Sequence, residues 1–195
     1  MSVPAPLNTV LAGLWGPAMP STYNPRVRAI EAARLLNSFL LDFIVGSRGL
    51  EIFDSPAIER SVTPTTAIGL NRMAISHLVV TLAKWAEFYQ RYRAILPADV
   101  GEACLTLYQQ VTARGVVEFR NTVVGHILND ATKRPLTSHE IDERLQRVIA
   151  GEREDFLRWI NNPANNIFPH SVVAITEHVR DRIRVEYQLS DEEIR

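Results

Sequence analysis

The sequence predicts an all-α protein, a helical bundle of five or six helices. Apolar residues recur at three- and four-residue spacing through most of the 195 positions. Helix-start chemistry precedes those runs: Asn24 before Pro25, Thr63 before Pro64, and Thr137 three residues ahead of Glu140. No strand alternation or hairpin turn competes. Hydrophobic residues make up 46% and charged residues 22%, so the chain has ample apolar surface to bury and is not disordered as a whole. The length suits one domain, read as an irregular arm over 1–23, with Pro4, Pro6, Pro17 and Pro20, and a single helical domain over 24–195.

The first helix starts with Asn24 as N-cap and runs to about Gly46, its apolar side carrying Val27, Ile30, Leu35, Phe39, Phe43 and Ile44. Residues 47–64 read as a loop, punctuated by Gly49, Pro56 and Pro64, with a short turn near Ala57–Arg60. A second helix begins around Thr63 to Thr66 and reaches towards Leu96, presenting Ile75, Leu78, Leu82, Trp85 and Tyr89 to the core. Pro97 closes it.

Asp99 and Glu102 have capping-box spacing for a third helix, which extends to Asp130 with a kink or change of face near Gly115 or Gly125. Pro135 blocks continuation through Lys133 and Arg134. Thr137 and Glu140 open a fourth helix, Ser138 to about Ala150, with Ile141, Leu145, Val148 and Ile149 on its apolar side. A short helix from Glu152 to Ile160 carries Phe156 and Trp159. The last runs from about Pro169 to Tyr187 through Val173, Ile175, Val179 and Ile183, and the SDEEIR tail is polar enough to fray. Residues 137–195 could be an addition to a bundle of 24–130, but continuous packing is the expectation.

Several function classes fall away on composition. Lys and Arg number 21 against 22 Asp and Glu, a net charge of -1, which excludes a globally basic nucleic-acid binder but not a local patch. The single cysteine, Cys104, rules out an internal disulfide or a multi-thiolate zinc site and reads as a reduced core thiol. Phosphate-loop, HExxH, CxxC and dinucleotide fingerprints are absent, and the histidines (77, 126, 139, 170 and 178) are too scattered to suggest a local metal pair. No metal and no cofactor are expected. The apolar runs at 10–15 and 35–45 are too short for a leader core or a bilayer span, which points to the cytoplasm and away from a membrane.

One constellation stands out: EFRNTVVGH, Glu118 to His126, inside the most apolar helix. An arginine is always charged and costly to bury, so Arg120 must emerge at a groove, an interface or an ion pair. Six residues along an α-helix advance about 9 Å and about 600°. Arg120 and His126 therefore project some 120° apart, a gap that a kink, a long side chain or a second copy of the helix can close. A plainer reading uses the i, i+4 ladder of Arg114, Glu118, Thr122, His126 and Asp130 as a solvated stripe, with Arg114 paired to Glu118 and His126 to Asp130. Between 113 and 134 the cations Arg114, Arg120, Lys133 and Arg134 outnumber Glu118 and Asp130, a local charge of four minus two, or +2. Arg72 offers a further contact from a neighbouring helix, while His77, beside it, reads as a structural hydrogen-bonding group.

The segment resembles the arginine–histidine motif of the HEPN superfamily (higher eukaryotes and prokaryotes nucleotide-binding domains): an Arg, a polar residue, then a His four to six positions on. Arg120, Asn121 and His126 match it. The longer string RNTVVGHILNDATKRPLT is similar to abortive-infection members of that superfamily. Family members often carry an acid two positions after the histidine; here that position is Leu128 and the acid follows at Asp130.

The resemblance implies a HEPN-like bundle and a metal-independent endoribonuclease of a phage-defence or toxin–antitoxin system. It implies a homodimer whose paired motifs form one site, RNA as substrate, and a regulatory partner such as an antitoxin. Arg120, His126 and Asn121 are then catalytic, Lys133, Arg134, Arg114 and Arg72 bind substrate, and Glu118 and Asp130 support the imidazole. Histidine titrates near neutrality and can act as base or acid, and the guanidinium offers a fixed fork to phosphate oxygens. The alternative is a catalytically inactive helical module that binds RNA, a nucleotide or a partner protein.

Overall fold

A computed structural model describes residues 24–53, 55–124 and 134–195. The helices are α1 (Pro25–Phe53), α2 (Pro56–Ser61), α3 (Pro64–Tyr92), α4 (Gly101–Ala113), α5 (Val116–Phe119), α6 (Ser138–Ile149), α7 (Arg153–Ile160), α8 (Val172–Glu186) and α9 (Asp191–Ile194). Short 3-10 turns at Arg93–Ile95 and Ala98–Val100 join α3 to α4, and a π-helical turn, Arg120–Val124, follows α5. Six helices have eight or more residues, and no sheet occurs among the described residues. The all-α bundle expected from the sequence is present. The N-terminal arm over 1–23, with Trp15, lies outside the described residues.

The central helix is α1. It packs against α3 on one side and α8 on the other, while α4 closes against α3 and α8. The core runs through Leu36, Phe43 and Leu50 of α1, Leu78, Leu82 and Trp85 of α3, Cys104 and Leu107 of α4, Phe156 of α7, and Val179 and Ile183 of α8. Each such side chain contributes about 1.5–3 kcal/mol by leaving water. Because α8 lies directly on α1, the segment after 137 is built into the bundle. Burial also pushes the Cys104 thiol up to about 12, so it stays protonated.

Local start signals act as their chemistry dictates. Asn24 Oδ1 accepts from the Arg26 amide at 2.9 Å, and Thr63 Oγ1 accepts from Thr66 at 3.2 Å. The Thr137–Glu140 capping box closes in both directions. Other expectations are corrected. Residues 47–53 are helical, not loop, and Pro56–Ser61 is a full short helix. The reason is Gly46, where a Cβ would stand 2.7 Å from Leu78 Cδ2. That glycine marks a close approach of α1 to α3 rather than a helix end, and Leu50 continues the buried face one turn on.

Val27, Leu35 and Ile44 are exposed, because the buried face of α1 centres on Ala29, Ala32, Ala33, Leu36 and Leu40. Asp99 and Glu102 form no capping box: Val100 is the N-cap of α4 without a side-chain bond, and the Asp99 carboxylate instead accepts from Arg182 Nε at 2.6 Å. The last long helix starts at Val172 with Ser171 as its cap, not near Pro169. The terminal residues form α9 under a Ser190–Glu193 capping box, with Ile194 buried and Glu193 bound to Arg26 at 2.7 Å.

Among the described residues, 64–95 is long and apolar enough to cross a membrane by length and composition. In the bundle that stretch supplies Leu78, Val79, Leu82, Ala83 and Trp85 to the core.

Candidate functional site

The expected single helix from 99 to 130 is broken. Gly115 takes a left-handed conformation, φ 67°, between α4 and α5, and its carbonyl accepts from Phe119 at 2.9 Å to start the next turn. The helix axis is reset there, so the ladder expected from Arg114 to Glu118 does not form. Arg114 turns inward: its Nη1 donates to the carbonyls of Val148 at 3.0 Å and Ile149 at 2.6 Å. Those are orphan acceptors at the C-terminus of α6. The guanidinium also lies over the Trp159 ring at 4.1 Å, and desolvation holds its pKa below the usual arginine value.

Glu118 faces the α6 side as well. Its carboxylate lies 3.4 Å from Arg147 and 4.0 Å from Arg144, and Arg144 also donates to Thr122 Oγ1 at 2.5 Å. Sequence reading missed both arginines, which reach this segment from a separate helix.

Arg120 and Asn121 open the π-helical turn that follows. A π turn bonds i to i+5, widens the helix locally and is frequent at functional sites. It also replaces the α-helical projection between Arg120 and later residues. Phe119 anchors the turn in the core, and the turn rests against α3. The Arg120 side chain is 27% exposed. Its Nε donates to Asn121 Oδ1 at 3.0 Å and its Nη1 to Glu87 Oε1 at 2.5 Å. Asn121 thus orients the guanidinium, and Glu87, absent from the sequence reading, is its counter-ion. Glu87 had a weak signal: Lys84, Glu87 and Arg91 recur at i, i+3 and i+7 on the solvent side of α3.

The other expected residues are dispersed or undescribed. His126, Asp130 and Lys133 lie outside the described residues. Arg134 forks onto Glu140 at 2.8 and 2.9 Å, and this bond, with those from Thr137, holds the Glu140 carboxyl down at about 2. Arg72 is exposed on α3, where its neighbour Asn71 accepts from Arg153 at 2.7 Å. His77 faces Asp42 at 3.6 Å, His139 faces Glu143 at 3.4 Å, and the His178 ring stacks on Phe168 at 4.2 Å. Among the described residues, no three His, Cys, Asp or Glu side chains converge as metal ligands.

The fold is shared with an integron cassette protein, Vpc_cass2, from the mobile metagenome of V. paracholerae. The two superpose with a TM-score of 0.69 at 21% identity, over 80% of this chain and 96% of that one. Likeness at that identity concerns the fold alone. No family model and no curated protein matches the chain.

Proposed function

We propose that this chain is a HEPN-type ribonuclease: a cytoplasmic, homodimeric, metal-independent enzyme of a phage-defence or toxin–antitoxin system, restrained by a partner protein. The observation that carries the reading is the Arg120–Asn121 pair. A guanidinium is held at a partly exposed π-helical turn by a side-chain amide 3.0 Å from its Nε. Such a fork is pre-oriented for the non-bridging oxygens of a phosphodiester.

In this scheme Arg120 binds the phosphate, and His126 takes the proton from the ribose 2′-hydroxyl. The new 2′-oxygen–phosphorus bond displaces the 5′-oxygen, which takes a proton from the imidazolium of His126 in a second copy. The products are a 2′,3′-cyclic phosphate and a 5′-hydroxyl. Incubation of the purified protein with single-stranded RNA in excess chelator is expected to give these ends. His126→Ala is expected to lower the rate by about 100-fold or more, the usual weight of a general acid–base group. Undiminished cleavage by that variant sinks the assignment.

The Glu87–Arg120 pair supports a second reading, an inactive module of the same fold that binds RNA, a nucleotide or a partner protein. It occupies one arm of the fork at 2.5 Å. Binding without turnover in the same assay, weakened by Arg120→Ala, selects that reading.

A further inference from the structure

Glu87 has a second neighbour besides Arg120. Together with Leu35, Phe39, Lys84, Phe88, Arg91 and Tyr92 it lines a cleft of about 200 Å³ between α1 and α3. One carboxylate therefore joins this cleft to the Arg120 guanidinium. The cleft's apolar floor is made by the buried Phe39, Phe88 and Tyr92 with Leu35 beside them, and its charged lining is Lys84 and Arg91 with Glu87.

Lys84 and Arg91 are exposed and have no carboxylate partner among the described residues. The guanidiniums of Arg91 and Arg28 lie 5.5 and 5.4 Å from the centre of the Tyr92 ring, and Arg28 also donates to the Arg91 carbonyl. Glu31 accepts from the Tyr92 hydroxyl at 3.3 Å. Around the cleft and Arg120, Arg28, Lys84, Arg91 and Arg120 face Glu31 and Glu87, four charges against two, or +2, in a chain of net charge -1.

We infer that the α1–α3 cleft beside Arg120 seats the RNA strand, with Lys84 and Arg91 binding phosphates that flank the one held by Arg120. Glu87 stands in the place of an RNA phosphate on Arg120 and is displaced when the strand binds. This rests on the ribonuclease reading of Arg120 and adds to it a strand path and three residues, Lys84, Glu87 and Arg91.

The strand is single. An apolar floor between cations matches the two surfaces that unpaired RNA offers, base or ribose faces and charged phosphates. A duplex stacks its base faces away and presents phosphate alone. Lys84 and Arg91 lie two helical turns apart on α3, about 10 Å along the axis, and Glu87 sits between them, so a strand running along the cleft passes Arg120 on the way.

The test is the affinity of the full-length protein for a fluorescent single-stranded RNA of a dozen nucleotides, read by anisotropy over a range of salt. The background is His126→Ala, to prevent cleavage. The double variant Lys84→Gln with Arg91→Gln is expected to bind at least tenfold more weakly. Its salt slope should fall by about 1.4, since each phosphate contact on a single strand contributes about 0.7. Glu87→Gln should bind about threefold more tightly, the scale of one exposed ion pair released. A duplex of the same sequence should bind more weakly than the single strand.

Both substituted cations are exposed, so folding should persist; circular dichroism checks it, and Lys84→Gln alone, on a side chain without a carboxylate partner among the described residues, gives half the slope change. If the parent binds RNA and the double variant matches it in affinity and slope, the cleft is not the strand path, although the Arg120 reading stands. Equal affinity for the duplex likewise overturns the cleft. If the His126→Ala background does not bind RNA and the unsubstituted protein does not cleave it, the ribonuclease reading and this inference fall together.

Discussion

Arg114 and Arg120 are six residues apart in one apolar stretch, yet the chain uses them in opposite ways. Arg114 donates to two backbone carbonyls at the end of α6 and lies over an indole. Arg120 donates to two side chains, Asn121 and Glu87, at a turn open to solvent. Carbonyls fixed in a helix terminus cannot move aside for a ligand. A glutamate on an exposed helix face can rotate away at small cost, because an exposed ion pair is worth only about 0–1 kcal/mol. A half-buried arginine bound to backbone is a structural part, whereas one bound to displaceable side chains is a binding group held ready. What separates the two is Gly115, which turns the chain between them.

The largest expected effect breaks the comparison on the Arg114 side. Arg114→Ala removes two charge-assisted hydrogen bonds and a cation–π contact, and leaves the Val148 and Ile149 carbonyls without their donor. The expected loss is about 3 kcal/mol of unfolding free energy, measured by urea denaturation. Arg120→Ala should change the same quantity by less than about 1 kcal/mol and act instead on RNA binding. Equal destabilisation by both substitutions would make Arg120 a second structural arginine.

That contrast was only half legible in the sequence. An arginine in an apolar helix announces that it needs a partner, and Arg120 stands out on that ground, whereas Arg114 reads as one rung of a solvated stripe. Which partner it finds depends on helices distant in sequence: Arg114 meets carbonyls 34 and 35 residues away, and Arg120 meets a glutamate 33 residues away. Local chemistry read well where the partner is local. Asn24, Thr63 and the Thr137–Glu140 box cap as their spacing implies. The same spacing misled at Asp99–Glu102, where Arg182 draws the aspartate away. It was passed over at Ser190–Glu193, where the box forms. Glycines read worst, since Gly46 and Gly115 look alike in sequence. One lies mid-helix against Leu78 and the other breaks the helix.

Gly115→Ala tests the joint itself. At φ 67° an alanine costs about 1–2 kcal/mol, and its Cβ would stand 3.3 Å from Arg147 Cδ. A loss of that size in unfolding free energy, with the Arg114 contacts retained, is the expected result. If the variant instead gains helicity and stability, α4 and α5 have fused, and Arg114 is realigned towards Glu118 as a continuous helix would place it. RNA binding would then change along with the register of Arg120.

The smallest effect separates the regions by pH. The acceptors of Arg114 are carbonyls, which do not titrate over the range where proteins fold. The clamps at the bundle's periphery do. Arg134 with the Thr137 bonds holds Glu140 at about 2, and the Ser190 backbone bond with Arg26 holds Glu193 at about 2, both below the ordinary value of 4.5. A depressed carboxyl stabilises the fold fully above its unfolded pKa and loses that contribution as pH falls through its folded one. The melting temperature should therefore hold level down to about pH 5 and decline progressively towards pH 2. Glu140→Gln and Glu193→Gln should each start lower at neutral pH and show a shallower acid decline, as read by thermal scans across that window. Arg114→Ala should lower the whole curve without changing its shape. A steeper acid decline in that variant would mean that the α6 terminus and the Glu140 clamp at its other end unfold as one unit, and the comparison would then have to be drawn between helices rather than between the two arginines.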